Sequence, residues 1–167
     1  MDIQQEIIAE FDRETAKNRK MFEAIPADVD FAYKPHAKSM SLGQLAGHIT
    51  DTCGDWVVHS LTQDELMFPA DHKFEPNLPP SKEALLERYD KAVATSKEAL
   101  AGFDPQKWDN NWKFGMGGQV WIDESKYRVI RNWVLDHMVH HRAQLGVYLR
   151  LLDKPIPGSF GPSADEM

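Results

Sequence analysis

Apolar residues recur every three or four positions in four separate stretches of the chain, and each stretch predicts an amphipathic helix. The first spans about Asp2 to Ile25. Its apolar set is Ile3, Ile7, Ile8, Phe11, Met21, Phe22 and Ile25, with Asp2 as a cap and Pro26 as the stop. Thr15 and Asn18 weaken this stripe midway. The second helix begins at Ser41. Ser41 and Gln44 have the spacing of a capping box, and Met40 and Leu45 that of a hydrophobic staple. The pattern then runs through Leu45, His48, Ile49 and Trp56 to about Leu61. The third stretches from near Ser81 to Gly102, with Leu85, Tyr89, Ala92, Val93, Ala99, Leu100 and Phe103 as its stripe. The fourth is the longest, from about Glu124 to Leu152. Ile130, Trp133, Val134, His137, His141, Leu145, Tyr148 and Leu149 share one of its faces.

The segments between these helices are long. Pro69, Pro76, Pro79 and Pro80 mark an irregular connection between the second and third. Asp104 to Ile122 lacks helical periodicity. Gly115, Gly117 and Gly118 break it, and a short hairpin around them is expected. The tail from Ile156 to Met167, rich in Pro and Gly, reads as an ordered loop or arm. The expected architecture is therefore all-α: a four-helix bundle with long inter-helix connections, in one domain over residues 1–167.

Composition narrows the function. A chain of 167 residues, 42% hydrophobic and 27% charged, can bury a sizeable core as one domain. The formal charge of −7, without a basic run, argues against nucleic acid as a partner. No apolar run approaches the length of a membrane span, and the first residues lack the basic start and apolar core of a signal peptide. Cys53 is the only cysteine, which excludes an internal disulfide and a cysteine-based zinc knuckle. A reducing cytoplasm is the expected location.

Histidine placement carries the chemistry. His137 and His141 are four residues apart on a helix, so they share a face with Cβ atoms about 6 Å apart, and two imidazoles so placed can share one metal ion. Both lie on the apolar stripe, where ring nitrogens must be bonded or coordinated. His48 falls on the inward face of the second helix. Three imidazoles from two helices would leave positions open for water or substrate, the pattern of a catalytic site. Spacing alone leaves a second reading of His48 open, that of a core histidine bonded to a carbonyl or carboxylate. His140 is a reserve ligand, about 100° round the helix from His141. Asp51 and Gln144 are candidates to support the ligands from behind, and Asp55 is a more distant one. For Asp51 and Asp55, ordinary surface charge is the competing reading. Trp56, Trp112 and Trp121 could wall a pocket for a small-molecule substrate. Trp133 reads better as core. Arg128, Arg131 and Arg142 could bind a carboxylate. Cys53, about 140° round the helix from His48, is poorly placed as a nucleophile.

Three stretches together resemble the DinB/YfiT superfamily of metal-dependent bundle proteins. They are the nine residues from Ser41 to Ile49 (SLGQLAGHI), the ten from Asp136 to Leu145 (DHMVHHRAQL), and the tail from Pro155 to Glu166 (PIPGSFGPSADE). The helix order agrees as well, so the resemblance covers nearly the whole chain. It implies a four-helix bundle, usually a homodimer, holding one zinc- or nickel-like ion on three histidines. In this sequence those are His48, His137 and His141. Characterised relatives include thiol-dependent S-transferases, a thiol-dependent isomerase and a hydrolase. The expectation is a divalent-metal-binding protein, a metal-dependent thiol S-transferase or related transferase with a small-molecule thiol as cosubstrate. The alternatives are a metal-dependent hydrolase and a non-catalytic metal-binding or interaction bundle.

Overall fold

The structure, a computed structural model, describes residues 2–76 and 78–167. Its helices are α1 (Ile3–Glu23), α2 (Leu42–Cys53), α3 (Asp55–Thr62), α4 (Lys82–Ala101), α5 (Lys126–Arg128) and α6 (His137–Leu151). A π-helical stretch, Val129–Asp136, joins the last two into one continuous rod. Asp2 caps α1 by accepting from the backbone N–H groups of Gln4 and Gln5. The capping box forms as expected. Ser41 Oγ accepts from Gln44 N at 3.1 Å, and Gln44 Oε1 accepts from Ser41 N at 2.8 Å.

The helices pack around a single large core that includes Phe11, Phe22, Leu45, Ile49, Tyr89, Val134, Met138 and Leu145. α1 packs on α4 and α6, and α2 packs on the same two helices. The bundle thus departs from simple up-down order. Among the described residues, no helix is long and apolar enough to cross a membrane.

Two expectations need correction. The chain is not all-α. Strands β1 (Glu65–Phe68), β2 (Asn111–Met116) and β3 (Gln119–Ser125) form a three-stranded sheet in that order. β1 runs parallel to β2, and β2 antiparallel to β3. The hairpin between β2 and β3 turns on Gly117 and Gly118, whose φ angles of +60° and +82° suit a two-residue primed turn that other side chains resist. Trp112, Phe114, Ile122 and Val129 form a second, smaller core beneath this sheet.

The second helix is also not continuous. It breaks at Gly54, where a Cβ would meet Ala92 Cβ at 2.9 Å, so the close approach of α4 leaves no room for a side chain. The carbonyl of Gly54 accepts from Val58 N at 3.2 Å, and α4 supplies a further donor at the break. Ser96 Oγ donates its one proton to the carbonyl of Cys53 at 2.6 Å, with that of Gly54 3.2 Å away.

Candidate metal centre

The capping box fixes where α2 begins, and therefore which way His48 points. On the facing rod the wide π-helical turns end at His137, the first residue of α6, and His141 follows one turn later. Packing of α2 on α6 brings the three rings together. Ring centroids are 5.0 Å apart for His48 and His137, 4.6 Å for His48 and His141, and 4.5 Å for His137 and His141. The contacts run through one kind of atom. His137 Nε2 lies 2.8 Å from His141 Nε2 and 3.3 Å from His48 Nε2. All three ligating atoms fall within 4.8 Å of one another.

The remaining ring nitrogens explain this convergence. His137 Nδ1 lies 3.3 Å from the carbonyl of Trp133, which can only accept, so the proton sits on Nδ1. His141 Nδ1 lies 2.8 Å from Gln144 Oε1. The amide of Gln144 donates in turn to His140 Nε2 at 3.1 Å, which leaves its oxygen free for His141. With Nδ1 protonated on both rings, each Nε2 presents a lone pair. Lone pairs aimed at one point from this distance repel unless a cation shares them. Nitrogen ligands at about 2.0–2.1 Å from a tetrahedral ion sit about 3.3 Å apart, so the rings need only small shifts to hold one. The three histidines thus fit a divalent metal.

The electrostatics agree with that donor set. His48 is half-buried, and burial followed by the nearby His141 and His137 pushes its pKa down to about 4. Burial likewise lowers His141 to about 4, against the opposing bond from Gln144. His137 is lowered too, again mainly by burial. All three imidazoles are therefore neutral near pH 7, the form that ligates metal.

The other sequence candidates scatter. Gln144 stands directly behind His141, whereas Asp51 accepts from Arg88 Nη2 of α4 at 3.2 Å. Asp55 is exposed at the start of α3. His140 is exposed, in contact with Gln144. Trp112 is fully buried in the small core, and Trp121 is 45% exposed on β3. Trp56 is half-buried between Trp112, Phe114 and Trp133. Arg142 and Arg131 are engaged by carboxylates of this chain, those of Glu14 and Glu10. Cys53 is fully buried, and burial pushes its thiol up to about 12, so it holds no reactive thiolate near neutrality.

Glu124, Asn132 and Asp136, none of them singled out from the sequence, join Trp133 and His140 around the space beside His137. A cavity of about 340 Å³ opens beside His137 and is walled by Glu124, Asn132, Trp133, Asp136 and His140. Trp133, assigned to the core from the helical stripe, is 36% exposed and stacks on Trp56 at 6.4 Å. Its spacing from His137, one turn earlier on the same rod, was the available signal. Glu124 arrives from the end of β3, where Asn132 Nδ2 donates to its carboxylate at 3.2 Å. A larger cavity of about 470 Å³ lies beneath the tail against α6 and includes none of the three histidines.

Comparison with known proteins agrees with this fold. Residues 1–164 match the model of the DinB family. A DinB-like protein from Bacillus cereus superposes with a TM-score of 0.69 at 19% identity, over 91% of this chain and 94% of its own. The DinB-like protein YjoA from Bacillus subtilis superposes with a TM-score of 0.67 at 17% identity, over 92% of this chain and 96% of its own. At these identities the likeness speaks for the fold. No curated protein matches the sequence.

Proposed function

From the premise that this chain belongs to the DinB family, we propose that it binds one divalent metal ion, zinc or nickel, through His48, His137 and His141, and uses it as a metal-dependent transferase. The single observation that carries the reading is the convergence of three neutral imidazole Nε2 atoms whose outer nitrogens, on His137 and His141, are already engaged. Bound there, a divalent ion supplies Lewis acidity and lowers the pKa of a coordinated water or thiol.

The protein supplies the remainder. Three protein ligands leave coordination positions open, unlike the closed four-ligand set of a structural site. The cavity beside His137, which touches that one histidine of the three, is the proposed approach for a small molecule. The exposed face of Trp133 offers it an apolar wall, and Gln144 holds the His141 ring in place. A small-molecule thiol is the proposed cosubstrate and an electrophilic small molecule its acceptor. Cys53 cannot serve as the thiol, because it is buried and protonated. We place the protein in the cytoplasm as a symmetric homodimer.

The test is elemental analysis of protein purified without an affinity tag, followed by assay of thiol consumption against a panel of electrophiles. About one ion per chain and a metal-dependent loss of free thiol are expected. Water attack on the same electrophiles without thiol would point instead to a hydrolase. Full metal loading with neither activity would favour a binding role.

A further inference from the structure

α6 carries two of the three histidines and α2 the third, and both helices are tied to α1 by a polar core. Glu14, Thr15 and Asn18 are buried in the middle of α1, on a face otherwise lined by residues such as Ile7, Phe11 and Phe22. Arg142, the residue after His141, is only 2% exposed. Its Nη2 donates to Glu14 Oε2 at 2.6 Å. Its Nη1 donates to the carbonyl of Glu14 at 3.1 Å and to Asn18 Oδ1 at 2.9 Å. Asn18 Nδ2 donates onward to Cys53 Sγ at 3.6 Å, and Tyr89 Oη of α4 donates to the carbonyl of Thr15 at 2.8 Å. Cys53 lies on α2, five residues after His48. A buried chain of hydrogen bonds therefore runs from the neighbour of His141, through α1, to the helix that holds His48.

We infer that Glu14, Asn18 and Arg142 are positioning residues, which lock the register of α6 against α1 and α2 and so set the geometry of the histidine triad. The inference rests on the metal-site reading given above. Apolar contacts between helices are non-directional and tolerate sliding. A buried guanidinium does not. A slip of one turn, about 5.4 Å, would strand Arg142 and Glu14 in the core and carry His137 and His141 the same distance from His48. Smaller rotations break the three-bond fork. A buried ion pair adds little to stability compared with apolar residues of the same volume, and its best-attested use is to specify register. Lysine at position 142 would keep the charge and lose the planar fork.

The test separates position from stability with cobalt(II) as the probe. The triple variant Glu14→Met, Asn18→Leu, Arg142→Met removes the buried Glu14–Arg142 pair, while Lys17, which also donates to Glu14 at 2.9 Å, is 19% exposed and can turn its ammonium to water. The variant should keep the helical circular dichroism and thermal midpoint of the parent. Its cobalt affinity should nonetheless fall at least about tenfold, the scale seen when ligand support is lost, with an altered visible absorption band. In the metal-free protein, ring NMR of His137 and His141 should change from one fixed Nδ1–H form to an averaged signal. A triple variant with parental affinity, absorption and ring signals would overturn the inference. Arg142→Lys carries the same comparison should the triple variant not fold, with the same expected losses and the same overturning result. Failure of the parent protein to bind cobalt would defeat the metal reading itself. The ring signals of metal-free parent and variant would then decide the register lock alone, unchanged signals overturning it.

Discussion

Gln144 links His141 and His140, with Oε1 2.8 Å from His141 Nδ1 and Nε2 3.1 Å from His140 Nε2. One amide thus orients a proposed ligand on one side and holds the exposed His140 on the other. Removal of such outer support costs metal affinity about 10- to 100-fold in known sites. Gln144→Ala should weaken zinc binding by that amount while the helical content stays unchanged. Gln144→Glu, which still accepts from His141, should bind at least as tightly as the parent. Competition with a chromophoric chelator reads both, and equal affinity for Gln144→Ala would remove Gln144 from the site.

The exposed His140 and the three convergent histidines should part company on substitution. His48→Ala, His137→Ala and His141→Ala each delete one of three ligands, so each should abolish stoichiometric metal and, with it, any turnover. His140→Ala should retain nearly full metal content, because its side chain faces Gln144 at the surface. Elemental analysis of the four variants is sufficient. Metal loss in His140→Ala with retention in His48→Ala would replace the proposed ligand set.

The His137–His141 pair and the inward face of His48 were legible in the sequence because those determinants are local, whereas the meeting of His48 with the pair, 89 residues further on, was implied only by the family resemblance. Helical periodicity gave the pairing of His137 with His141, and the Ser41–Gln44 capping box gave the phase of His48. Features that depend on distant partners were not legible. Glu65–Phe68 becomes a strand only by pairing with β2, more than 40 residues away in sequence. Thr15 and Asn18 read only as a weakened stripe, because the partner of Asn18, Arg142, lies 124 residues further on. Trp112 and Trp133 exchanged their expected places, the first buried under the sheet and the second lining the cavity, because the sheet and the π-helical turns were both invisible in the pattern.

Gly54 makes the same point at one residue, since a lone glycine inside a helical pattern carries no mark of the helix that crosses it. Gly54→Ala would place a Cβ 2.9 Å from Ala92 Cβ and 3.3 Å from the carbonyl of Thr50. Neither neighbour can move away cheaply, and overpacking of this kind costs about 1–3 kcal/mol. Chemical denaturation should show that loss. The double variant Gly54→Ala, Ala92→Gly should recover part of it. A neutral Gly54→Ala would mean that α4 does not press on the break.

Acid should destabilise the metal-free protein through the triad. The pKa of a histidine in an unfolded chain is about 6.5, whereas His48 and His141 are lowered to about 4 in the fold, chiefly by burial. His137 moves in the same direction. Between those values the unfolded chain binds more protons than the folded one, so stability rises with pH across the window. It is fully present above about pH 6.5 and drains away as pH falls toward 4. The thermal midpoint of chelated protein should therefore drop steadily from pH 6.5 to 4.5. His48→Gln removes one of the shifted groups and should flatten that slope. Metal binding needs the same neutral rings, so the stabilisation added by zinc should persist to pH 6 and fade only toward pH 4, lower than solvent-exposed histidines would allow. Calorimetry with and without zinc measures both trends. An equal slope in parent and His48→Gln would show that His48 is not among the groups that titrate.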